Sequence, residues 1–166
     1  MKLSKQQKSL LISLILGDGT ICSNYVLKLS HSEQQKEFLE WKLKIIKEHN
    51  LKISNIKTYI SKCGYNTGKS VIYAQMSVIP TIKALRRSIY TPKKTINRKL
   101  LNWLDPMGIA IWYMDDGMNY INTSKQRISN QYKVKISTCL SNKDDAVIIT
   151  KYFDEVWNIK FICFNI

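Results

Sequence analysis

Asp18 and Asp116 are the residues of this chain whose surroundings point most clearly to chemistry. Asp18 closes residues 11–19, LISLILGDG, and Asp116 closes residues 109–117, IAIWYMDDG, 116 − 18 = 98 positions later. Each ends an apolar run on Asp-Gly and precedes a strand-like stretch, 20–22 in one case and 118–121 in the other. A carboxylate at a helix C-terminus meets the partial negative charge of the last carbonyls, so it is unfavourable there unless something positive is close. If the two apolar helices pack side by side, both carboxylates reach one end of the pair. There they repel, unless one is protonated or divalent cations lie between them. Oxygen donors of this kind suit Mg2+, which keeps waters and completes its shell with phosphate oxygens. Cations so held can activate water and stabilise the leaving oxygen of a phosphodiester. The plainer alternative, Asp-Gly as turn chemistry after a helix, explains one motif better than a matched pair.

The elements that must carry these residues can be read in order. Leu10, Leu11, Leu14 and Ile15 predict a helix over 3–16, ended by Gly17-Asp18-Gly19. Residues 20–22 and 25–30 read as a hairpin around Ser23-Asn24, with Val26, Lys28 and Ser30 on one face and Leu27 and Leu29 on the other. Ser32-Glu33-Gln34-Gln35 has the form of a capping box. It opens a helix to about residue 49, with Phe38, Leu39, Leu43 and Ile46 at helical spacing, and Asn50 stops it. Residues 56–62 and 70–78 predict a second hairpin, and Pro80 starts a helix continuing over 81–90. A basic connector, 91–95, leads to a short helix over 98–103 and then to a helix capped by Asp105-Pro106.

The second half retraces the first. Residues 133–137, KVKIS, parallel 26–30, VLKLS; Ser141 begins a helix to about Trp157; and 158–160, NIK, echo 50–52, NLK. Only 166 − 158 = 8 residues follow Asn158, so the second copy is expected to lack the hairpin and helix that follow Asn50. Ser13 and Gly17 share a helix face, and Gly108 and Ala110 offer small side chains for close approach from the other helix.

Composition narrows the partner. Lys plus Arg is 26 and Asp plus Glu is 12, so the net charge is 26 − 12 = +14, which calls for an acidic partner. No run approaches a membrane span, and the basic residues are scattered, so nucleic acid is expected rather than membrane. The length of 166 residues suits one core, or two small similar halves sharing it. The N-terminal Lys residues and apolar run lack a small-residue cleavage site, so they are not read as a leader. Cys22, Cys63, Cys139 and Cys163 stand singly, which suggests buried free thiols and an intracellular setting, a bacterial or phage cytoplasm or an organelle.

These motifs resemble the signature helices of the LAGLIDADG homing endonucleases, in the single-chain branch whose second motif ends aromatic-Met-Asp-Asp-Gly. In that register Asp18 and Asp116 fall on the metal-ligand places, and Gly17 and Asp115 are expected with them among the metal-binding residues. Residues 92–96, PKKTI, are similar to a Lys-Lys-Thr segment of that branch, with Lys94 at its active-site lysine and Lys93 next to it against DNA. Asn97-Arg98 departs from the pattern, where Pro often follows Ile. The resemblance runs from about Lys8 to Ile159. It implies an α+β fold of two αββαββα halves, 1–97 and 98–166, related by a pseudo-two-fold axis. Their antiparallel sheets would form a saddle over the DNA major groove, the second half being incomplete. The implied activity is double-strand cleavage at a long site by a monomer, with Mg2+ as cofactor and Mn2+ as a second option.

Alternation in the strands supplies a DNA-facing set: Lys28 and Ser30, Lys57 and Tyr59, Lys69 and Gln75, and Lys133 and Lys135. Lysines would contact phosphate, and Gln75, Gln131 or a Ser side chain could read base edges. The alternative for each is an ordinary solvated strand face. His31 and His49 stand alone and read as surface or packing residues, and the four tryptophans read as core. Two rival functions share this reading: a maturase or non-cleaving regulator on the same fold, with intron RNA as partner, and a basic RNA-binding protein with steep salt dependence and no site preference.

Overall fold

The structure is a computed structural model and describes residues 3–62, 67–90, 94–122, 131–137 and 143–163. Helix α1 (Lys5–Leu16) opens on a capping box: Ser4 Oγ accepts from Gln7 N at 3.1 Å, and Gln7 Oε1 accepts from Ser4 N at 2.9 Å. Strands β1 (Gly19–Ile21) and β2 (Leu27–Ser32) follow. A 3-10 turn, Glu33–Gln35, then leads into α2 (Lys36–Glu48). The expected box at Ser32 and Gln35 is present. Next come β3 (Lys57–Ile60), β4 (Ser70–Met76), α3 (Pro80–Ile89), α4 (Arg98–Leu101), α5 (Pro106–Asp116), β5 (Gly117–Asn122), β6 (Gln131–Ile136) and α6 (Lys143–Trp157).

Four strands form one antiparallel sheet in the order β1-β2-β4-β3, and β5-β6 form a separate antiparallel pair. Helix–strand–strand–helix therefore occurs twice, α1 to α2 and α5 to α6. Among the described residues the second set has no counterpart of β3, β4 and α3. Both returning helices are followed by a left-handed asparagine, although the closing bond spans five residues in α2 and six in α6. Asn50 (φ 56) and Asn158 (φ 53) adopt the left-handed conformation that Asn tolerates, and the next residue's N–H reaches back to Ile46 O or Phe153 O.

The centre of the molecule is α1 packed beside α5. Every residue of α1 from Ser9 to Leu16 is buried, because the sheet covers one side and α5 the other. Each fully buried Leu or Ile here stabilises the fold by about 1.5–3 kcal/mol. Small residues let the two helices approach, as expected, but not all of the expected ones. A Cβ on Gly108 would collide with Ser9 Oγ, and a Cβ on Gly17 would stand 2.6 Å from that of Asp115, whereas Ala110 is exposed and off the seam. The start of α5 is stitched to α1 by two reciprocal bonds: Ser9 Oγ donates to Asp105 Oδ1 at 2.8 Å and accepts from Asp105 N at 3.0 Å. Asp105 Oδ1 also caps Gly108 N at 2.8 Å. The helices thus run in one direction and their C-termini emerge together.

Some expectations need correction. The first hairpin's second strand starts at Leu27 rather than Tyr25, because Tyr25 (φ 63) closes the turn with its N–H on Cys22 O. Trp103 lies on the surface with the Lys8 ammonium 3.8 Å from its ring centroid, so it is not core. Cys22 is half-buried and Cys163 exposed, against the buried thiols expected; Cys63 and Cys139 lie outside the described residues. No helix among the described residues is long and apolar enough to cross a membrane.

Candidate active site at the paired helix ends

The parallel course of α1 and α5 brings Asp18, Asp115 and Asp116 to one end of the helix pair. Asp115 has a fully buried carboxylate that forms an ion pair with Lys42, a residue of α2 whose side chain is itself 1% exposed. The Lys42 ammonium is enclosed by Asp115, by His31 Nε2 at 3.1 Å and by the face of Phe38, 4.3 Å from its centroid. Asp18 Oδ2 lies 3.9 Å from it. The other Asp115 oxygen accepts the Asp18 N–H at 3.2 Å, so both oxygens of this carboxylate are engaged.

Histidine 31 stands on the buried face of β2, not on the surface, and its role is set by Lys42. An ammonium can only donate, so Nε2 accepts and the ring proton sits on Nδ1, which faces Asp18 Oδ2 at 3.6 Å. Burial first, and the Lys42 charge second, lower its pKa from 6.5 to about 4. At neutral pH the approach to Asp18 is therefore not a salt bridge.

Asp18 and Asp116 are the carboxylates left open to a ligand. Asp18 keeps 37% of its side chain exposed, yet its pKa rises from 3.8 to about 6. Partial burial is the main cause, the Asp115 charge adds to it, Lys42 works against it, and Asp116 raises it further. Asp116 is also pushed up, chiefly by burial. A bond from the buried Trp112, whose Nε1 donates to Asp116 Oδ2 at 3.2 Å, and the charge of Lys94 oppose that shift. Lys94 Nζ donates to Leu16 O at 3.0 Å and to Gly17 O at 3.3 Å, satisfying carbonyls that the end of α1 would otherwise leave unpaired.

One trio of donor atoms, from Asp18, His31 and Asp115, lies within 4.8 Å of one another. Its chemistry does not suit a metal as a set. Nδ1 of His31 carries the proton, and Asp115 already holds a cation in Lys42. Asp18 and Asp116, both pushed toward protonation chiefly by burial and not held in a close ion pair as Asp115 is, fit a divalent cation better.

Most of the sequence-predicted DNA-facing residues share the outer face of the four-stranded sheet. Lys28 is paired with Gln75 across β2 and β4, and Ser30, Tyr73 and Lys57 form a row across three strands. Tyr59 lies edge-on to Tyr73 (5.5 Å between centroids), and the Lys28 ammonium sits over both rings at 4.4 and 4.5 Å. Lys69 lies in the turn before β4. Lys135 is exposed on β6 opposite Met118, and Lys133 occupies β6 opposite Tyr120. The side chain of Lys133, and Lys93 altogether, lie outside the described residues.

Comparison with known proteins decides the lineage. The family model described as the LAGLIDADG DNA endonuclease family matches residues 8–163. This chain belongs to the LAGLIDADG DNA endonuclease family. Protein RecA of Mycolicibacterium chitae is 26% identical over 124 residues, covering 70% of this chain and 27% of that protein. Protein RecA of Mycobacterium shimoidei is 28% identical over 123 residues, covering 69% and 26%. The LAGLIDADG chain thus spans about a quarter of the length of the curated relatives it matches. Among solved structures, the homing endonuclease I-WcaI bound to its DNA recognition sequence superposes with a TM-score of 0.76 at 23% identity, over 99% of this chain and 74% of that one. That likeness is one of fold, and it accords with the α+β architecture described above.

Lys42 and His31 are the LAGLIDADG site residues that sequence reasoning missed. The signal for Lys42 was available: it falls on the apolar stripe of α2, between Leu39 and Leu43, where a lysine must find a buried partner. His31 similarly occupies an inward position of β2 after Leu27 and Leu29.

Proposed function

We propose that this LAGLIDADG protein is a site-specific endonuclease of double-stranded DNA, acting as a monomer of two halves, 1–97 and 98–166. The observation that carries the reading is the convergence of Asp18 and Asp116 at the shared end of α1 and α5, beside Lys94 and at one end of the four-stranded sheet. Asp18 and Asp116 would hold Mg2+, or Mn2+ in its place, and a divalent cation bound there supplies Lewis-acid stabilisation of a phosphodiester. The chain's own residues do the rest. Asp115 and Lys42 fix the backbone at Asp18, Trp112 orients the Asp116 carboxylate, and Lys94 brings positive charge to where the phosphate gathers negative charge. The outer sheet face offers Lys28 and Lys57 to phosphates and Gln75 and Ser30 to base edges, with Tyr59 and Tyr73 under Lys28.

Incubation with a supercoiled plasmid library of randomised inserts, with Mg2+ and with chelator, tests the proposal. The expected result is Mg2+-dependent linear product from a small subset of inserts. Binding without cutting under Mg2+ and Mn2+ alike would overturn it and leave a non-cleaving nucleic-acid binder; intron RNA in the same binding assay then reports on the maturase alternative.

A further inference from the structure

The buried lysine of α2 is the residue the family motifs leave unexplained. We infer that Lys42 is a positioning residue of the cleavage site: its ammonium neutralises Asp115, so that Asp115 orients Asp18 and leaves cation binding to Asp18 and Asp116. The inference rests on the endonuclease reading above.

Three positions build this arrangement together. Asp115 and Gly17 are equivalent in the two motifs, each standing just before the motif aspartate, and one supplies a carboxylate where the other supplies the space for it. Lys42 supplies the charge. Matching the two helices by the carbonyls that close them (Ile46 and Phe153, 153 − 46 = 107) and by their buried positions, its counterpart in the second set of elements is Ile149 (42 + 107 = 149), a buried apolar residue. The device is thus made once, from both halves of the chain. The bond from Asp18 N to Asp115 Oδ2 carries it to the active site, because it fixes the peptide that presents the Asp18 carboxylate.

Without Lys42 the buried Asp115 becomes an uncompensated anion beside Asp18, and a divalent cation is drawn to it. Without Asp115 the ammonium keeps Asp18, 3.9 Å away, as its nearest carboxylate partner and competes with the cation there. The two deletions thus act on cation affinity in opposite directions and cancel when combined.

The test is Mn2+ binding to metal-free protein, followed by electron paramagnetic resonance, with plasmid cleavage measured alongside. K42M is expected to bind Mn2+ about ten-fold more tightly than wild type while cutting more slowly, D115N about ten-fold more weakly, and K42M/D115N within about three-fold of wild type. A double variant as weak as D115N would make Asp115 itself a ligand and overturn the inference. Unchanged Mn2+ binding in all three would reduce Lys42 to a packing residue and overturn it equally. Should K42M fail to fold, the double variant, which buries no unpaired charge, carries the same comparison. Wild type that binds Mn2+ but cuts nothing would sink the endonuclease reading, while the order of affinities still judges Lys42.

Discussion

The Asp115 carboxylate fills the space that a side chain on Gly17 would need, and from there it accepts the Asp18 N–H. Gly17→Ala therefore cannot be relieved by a small shift, because the obstructing group is pinned by Lys42. Overpacking of this kind costs about 1–3 kcal/mol. The expected outcome is a lower urea midpoint together with loss of cleavage. A variant as stable as wild type would show that the seam opens more easily than its packing implies.

Asp18→Asn and Asp116→Asn keep shape and remove charge. Each is expected to lower cleavage by about three orders of magnitude or more, since cation placement depends on both carboxylates. DNA affinity in gel shift without divalent cations should stay within about three-fold, because neither carboxylate is among the proposed DNA contacts of the sheet face. Wild-type cleavage rates in either variant would remove the assignment.

The pH dependence of stability separates Asp18 from His31. Asp18, raised to about 6 in the folded chain, holds a proton there that the unfolded chain has released, so its contribution is lost as pH rises from about 4 to about 6. His31, lowered to about 4, refuses a proton that the unfolded chain takes up, so its contribution is lost as pH falls from about 6.5 to about 4. The two slopes oppose each other. Asp18→Asn should make metal-free stability rise more steeply with pH across this window, and His31→Gln should make it fall. Urea midpoints at several pH values read both signs.

Lys94 has a double task that two substitutions can divide. Lys94→Met leaves Leu16 O and Gly17 O without their donor, costing about 1 kcal/mol for a partly exposed bond to a charged group. It should also lower cleavage about a hundred-fold by withdrawing positive charge from the phosphate. Lys94→Arg should restore stability more fully than rate. Equal recovery of both would reduce Lys94 to a helix cap.

On the sheet face, Lys28→Ala should weaken DNA binding similarly across sequences and lower the slope of log K against log salt by about 1. Gln75→Ala, one strand over in the same register pair, should leave that slope unchanged and relax preference at one base position. An unchanged slope for Lys28→Ala would place DNA elsewhere.

What was legible in the sequence follows from which interactions are local. The caps at Ser32 and Asp105, the alternation within β2 and the stop at Asn50 depend on neighbours a few residues away, and the elements they delimit formed close to where they were read. The pairing of Asp18 with Asp116 could be read because two motifs carried the same pattern. Lys42 could not be placed the same way, since its partner Asp115 is 73 positions distant and only tertiary packing joins them. Trp103 and Ala110 went astray for a related reason: helical spacing says which residues share a face, but not which face is covered.

The seam between the motif helices also decides how such a chain can be assembled. Two copies of the first half would set glycine against glycine and leave the lysine only the motif aspartate that the cation needs. Two copies of the second would press carboxylate on carboxylate with an isoleucine where the cation should be. Left and right are different parts, and joining them in a single polypeptide guarantees that each meets its mate.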